Sequence, residues 1–142
     1  MWADTLLNAE RGYIARTLVW AVLSVISGTA LAVLLAARRI RSPLLSQFAL
    51  QLAGWGLVVG AVGALEWQGL HLRDLAGATR LERVTWTRVG FDAGIVGMGA
   101  VLAATTRAIG RSAGGLGAGA GLALQGAALL VLDLEFAAAI SR

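Results

Sequence analysis

Four apolar stretches, 17–37, 43–65, 89–106 and 112–135, dominate this chain. Each is close to the ~20 mostly apolar residues that carry an α-helix across a hydrocarbon core. The first two hold no charge; the third holds Asp92, and the fourth meets Asp133 and Glu135 only near its end. Nothing outside a bilayer would tolerate so much apolar helix. Charged residues make up 14% of the chain, against about one quarter in a soluble domain, too few to cover a water-exposed surface. The sequence therefore reads as an all-α integral membrane protein with a single membrane domain over residues 1–142, and the lipid bilayer is its first partner.

The spans are unequally connected. Residues 38–42 and 107–111 are links short enough to force tight antiparallel helix pairs, whereas 66–88 is long. Two antiparallel hairpins joined by one longer segment follow. That connector mixes Trp67, Leu70, Leu75, Leu81, Val84 and Trp86 with Arg73, Arg80, Glu82 and Arg83, the pattern of an amphipathic helix lying in the interface. Residues 1–16 read the same way. The first apolar run is too long for a usual signal peptide and is preceded by Asp4 and Glu10, so it is expected to be a retained helix.

All twelve basic residues are arginine. That fits a GC-rich genome and points to a bacterial inner membrane. Because the arginines flank apolar segments, they mark a membrane boundary and not a nucleic-acid surface. Arg38, Arg39, Arg41, Arg107 and Arg111 crowd the two short links without an acid; the opposite side carries Arg11, Arg16, Arg73, Arg80, Arg83, Arg88 and Arg142 together with the acids. Positive charge in short loops dominates insertion, so the short links are expected to be cytoplasmic and both termini outside.

The hairpins resemble each other. Ala32 to Ala37 leads into Arg38 and Ser42 as Ala100 to Ala104 leads into Arg107 and Ser112. Ala49-Leu50-Gln51 matches Ala123-Leu124-Gln125, and Leu65-Glu66-Trp67 matches Leu134-Glu135-Phe136. A unit of two spans returns to its starting side, so copies would be parallel, a 2+2 repeat about an axis along the membrane normal.

Helices in lipid associate through close packing of small residues and through hydrogen bonds. Gly56 and Gly60 on the second span, Gly94 on the third, and Gly115, Gly117, Gly119 and Gly121 on the fourth are the candidate packing positions. There is more small-residue surface here than one four-helix bundle requires, so a seam for another copy or another membrane protein is expected. Gln47, Gln51 and Gln125 are the intramembrane polar groups, suited to interhelical hydrogen bonds. Arg16, Glu66, Arg88, Asp92, Asp133 and Glu135 are the ion-pair or ion-entry candidates, expected to form a belt at one depth, with Arg88 and Asp92 paired at i, i+4.

Catalysis has little to stand on. Cysteine is absent and His71 is the lone histidine, which excludes a thiol nucleophile and a histidine or cysteine metal cluster. His71 is the single candidate cofactor ligand; otherwise no cofactor and no metal are implied. Asp133 and Glu135, at i, i+2, point away from each other on a helix. No family motif is identified. The expectation is a non-catalytic membrane subunit that packs against or stabilises a larger membrane complex, with a small oligomeric transporter or channel for an ion or small solute as the alternative.

Overall fold

The computed structural model describes residues 2–110 and 112–141. Met1, Arg111 and Arg142, which entered the charge reading above, lie outside the described residues. The chain is all-helical: α1 (Trp2–Ala37), α2 (Pro43–Gln68), α3 (Leu75–Ile109) and α4 (Ala113–Ile140). All four helices are long and apolar enough to cross a membrane.

The helices start and stop where local chemistry says they should. Ser42 caps α2 by accepting from the Leu45 N–H, with Pro43 at the first helical position, and Ser112 caps α4 by accepting from the Gly115 N–H. Asp74 caps α3 by accepting from the Gly77 N–H. α3 ends at Gly110, which takes the left-handed conformation (φ 67°). At the equivalent end of α1 the left-handed residue is Arg39 (φ 52°), which lets the Ile40 N–H reach back to the Leu35 carbonyl.

The separate interfacial helices expected over 1–16 and 66–88 do not form. Residues 2–16 are the first turns of α1, and 75–88 are the first turns of α3. Only the short turn at 69–74 interrupts the chain between α2 and α3. These extensions pack on one another: Tyr13, Ile14 and Phe136 form a buried cluster, flanked by Ala9, Leu70, Leu81 and Ile140.

α4 is the centre of the molecule. It packs against α3, α2 and α1, and α1 packs along α2. Backbones meet at glycines, in the same pattern twice. A Cβ on Gly28 would lie 2.7 Å from the Ala49 carbonyl and 2.6 Å from the Ala53 N; one on Gly99 would lie 2.7 Å from the Gly119 carbonyl and 2.5 Å from the Ala123 N. Gly56 abuts Ser24 and Val25 as Gly126 abuts Ile95 and Val96. The positional correspondence is thus 28 with 99, 49 with 119 and 56 with 126. It keeps Ser42 opposite Ser112, as the sequence matching had it, but it moves the later register: Ala49 corresponds to Gly119 and not to Ala123.

The candidate packing glycines divide sharply. Gly56, Gly115, Gly117, Gly119 and Gly121 all meet atoms of the bundle: Ser24, Thr106, Leu44, Gly99 and Gln51 respectively. Gly60 has Ala21 at ordinary contact distance, 3.5 Å. Gly94 has nothing within 4 Å, and neither do Gly90 and Gly97. The α4 glycines among these candidates are therefore packed from within the bundle.

Candidate acidic cleft between α2 and α3

α2 and α3 both lean on α4 without packing closely on each other, which leaves a cleft between them of about 180 Å³. Its walls are Trp55, Val58, Val62 and Phe91, and its floor carries Asp92 and Asp133. Both acids are buried, at 5% and 3% exposure. Both line the cleft, Asp92 from α3 and Asp133 from α4.

Their surroundings differ. Tyr13 donates its hydroxyl to Asp133 Oδ1 at 2.5 Å while stacking on Phe136, ring centroids 4.5 Å apart. Arg88 Nη1 donates to the Tyr13 oxygen at 3.4 Å, and Arg88 Nη2 pairs with Glu66. Among the described residues no side chain or backbone N–H donates to Asp92. The i, i+4 pair expected between Arg88 and Asp92 is therefore corrected: Arg88 gives its hydrogen bonds to Glu66 and Tyr13. The two residues share one face of α3 and line the same cleft, but the long Arg88 side chain extends away from its own helix to Glu66 of α2 and the Tyr13 hydroxyl of α1.

Above the cleft lies a second cavity of about 210 Å³, bounded by Glu10, Ile14, Arg73, Arg80, Leu81 and Phe136. Tyr13, Glu66 and Arg88 line both cavities, so the Arg88–Glu66 pair and the Tyr13 hydroxyl form the partition. The upper cavity is closed on one side by Arg73, which holds Glu10 with two hydrogen bonds of 2.5 and 3.1 Å. That hydrogen bonding pushes the Arg73 guanidinium above its ordinary range in spite of its partial burial.

The remaining candidates take other places. Arg16 pairs with Glu135 at 3.5 Å on the surface, both about half exposed, a geometry that contributes little. Asp133 faces inward and Glu135 outward, as their spacing required. Gln125 is fully buried: it accepts from Trp20 Nε1 at 2.8 Å and donates to the Leu52 carbonyl at 3.3 Å, tying α4 to α1 and α2. Gln51 packs beside Gly121, and Gln47 is exposed beside Gly114. His71 is exposed in the 69–74 turn, its Nδ1 2.7 Å from the Gly69 carbonyl. Among the described residues no group of three or more His, Cys, Asp or Glu is placed to hold a metal ion. Tyr13 and Trp20 escaped the sequence reading, as did the pairing of Glu10 with Arg73. An aromatic hydroxyl or indole N–H in an apolar run was the available signal for the first two, since each needs a partner when buried.

No curated protein matches the chain, and no solved structure does. Residues 16–134 match the model of a family of unknown function (DUF6992), and the chain belongs to that family.

Proposed function

We propose that the chain crosses a bacterial inner membrane four times as two antiparallel hairpins in a parallel 2+2 arrangement, and that it is a non-catalytic subunit packing against a larger membrane complex. The observation that carries the subunit reading is the outer face of α3. Asp92, Ile95 and Gly99 are buried on one side of that helix, and Gly90, Gly94 and Gly97 share the opposite side, with nothing within 4 Å. Glycine in a helix costs about 1 kcal/mol relative to alanine. Lipid returns none of that, whereas a helix approaching closely does. The occupant that fits is an apolar helix of another membrane protein.

Gly94→Leu and Gly97→Leu together should leave the fold intact and should not lower thermal stability, because the space is open and leucine favours the helix over glycine. They should shift the protein in mild detergent from a larger assembly to a smaller one on blue-native electrophoresis. An unchanged band in the variant, or a wild type that migrates as a monomer, overturns the reading, and a homodimer in place of a mixed complex replaces the partner by a second copy.

The threading has its own test. With loops 38–42 and 107–111 cytoplasmic and both termini outside, a cysteine introduced at Ser42 should resist an impermeant thiol reagent in intact cells and react after lysis. Ready labelling in intact cells reverses the orientation.

The acidic cleft favours a second reading, a small oligomeric transporter or channel, since ionisable groups enclosed within apolar helices are otherwise rare and mark ion pathways.

A further inference from the structure

Asp92 is a buried acid that receives no hydrogen bond from any donor among the described residues. It is 5% exposed and lines the cleft. The groups that face it come from every helix of the bundle. α1 offers the neutral Tyr13 and Thr17, α2 offers Glu66, α3 itself offers Arg88, and α4 offers Asp133. Arg88 is engaged by Glu66, so that pair is neutral and leaves two carboxyls to face each other. Two carboxylates enclosed together repel each other, which favours a proton or another cation held between them.

The kind of cation follows from the entrance and from the ligand set. In the upper cavity Arg73 and Arg88 are paired with Glu10 and Glu66, so the charge left over at the approach is that of Arg80, which does not favour entry of a metal ion. Only two carboxyls converge, and one oxygen of Asp133 is already taken by Tyr13. A proton needs neither more ligands nor a wide path, because water in the upper cavity can deliver it.

We propose that Asp92 and Asp133 hold one exchangeable proton between them, carried by Asp92. Asp133, given the Tyr13 hydroxyl, is the carboxylate; Asp92, given no donor, is the carboxylic acid and donates to Asp133. On release the proton passes to water at the partition formed by Tyr13, Glu66 and Arg88, and the pair is left doubly charged until another proton arrives. Holding the proton requires only the cleft. Using it for transport rests on the second reading above.

The test is infrared spectroscopy of the protein in lipid nanodiscs. A protonated carboxylic-acid C=O band should be present at neutral pH, move in D2O, and disappear in Asp92→Asn. That variant should keep its helix content, because the asparagine amide supplies the same hydrogen bond to Asp133. Tyr13→Phe, which takes a donor from the carboxylate, should move the loss of the band to higher pH. Absence of the band in the wild type, or its survival in Asp92→Asn, overturns the proposal. Removal of the band by sodium or lithium chloride at fixed pH also overturns it, in favour of a metal-cation site. Proton flux in vesicles separates the two readings: a band without flux upholds the site and overturns transport.

Discussion

Gly119→Leu should yield almost no folded protein, and even Gly119→Ala should lower the melting temperature. The alanine variant is the more informative because two effects oppose each other. Helix propensity favours alanine over glycine by about 1 kcal/mol. Against that, the new Cβ would lie 2.6 Å from the Gly99 carbonyl and 2.7 Å from the Ala103 N. Those atoms belong to the α3 backbone, so no rotamer change relieves the contact and the helices must separate. Overpacking of a core costs about 1–3 kcal/mol even where side chains can adjust; a leucine at a backbone crossing should reach the top of that range or exceed it. Gly94→Ala is the control: the same propensity gain arrives in open space, so it should stabilise. Thermal melts of the two alanine variants in detergent decide the matter. Equal shifts of the same sign would mean that the α3–α4 crossing is not as tight as the structure has it.

The contrast between Gly119 and Gly94 also marks how far the sequence could be read. Both are glycines within an apolar span, each preceded by an alanine, and sequence alone does not say which of them meets a neighbouring helix. What separates them is which face of which helix meets a neighbour, a property of the whole bundle. The helices themselves were legible because length and apolarity are local, and Ser42 and Ser112 were legible as boundaries because a cap is local too. The continuity of α3 through 75–88 was not. Arg80, Glu82 and Arg83 made that segment look like a surface helix, whereas in the fold Leu81 packs against the Tyr13, Ile14 and Phe136 cluster. The acids were legible as ionisable groups near the ends of spans. Their sorting into Arg88–Glu66, Arg16–Glu135 and Asp92–Asp133 was not, because it follows from helix rotation, and rotation is set by the glycine contacts.

That sorting gives the second large expectation. Arg88→Ala should sharply reduce the yield and stability of the folded protein, and Glu66→Gln, but not Asp92→Asn, should restore most of the loss. Arg88 bridges α3 to α2 across the cleft by pairing with Glu66, and it also donates to the Tyr13 hydroxyl. Removing one partner of a fully buried pair costs about 3–5 kcal/mol, because the other charge is left stranded. Here the side chains are 37% and 23% exposed, and water screens part of the stranded charge, so about 2 kcal/mol is the reasonable scale. Neutralising Glu66 removes the stranded charge and should recover most of it. Neutralising Asp92 should recover nothing, because a carboxyl that already carries the proton has no charge for Arg88 to balance. Melting temperatures of the single variant and the two double variants in one detergent give the answer. If Asp92→Asn rescues Arg88→Ala and Glu66→Gln does not, then Arg88 serves Asp92 along its own helix, and the partition between the two cavities is built differently from the one described.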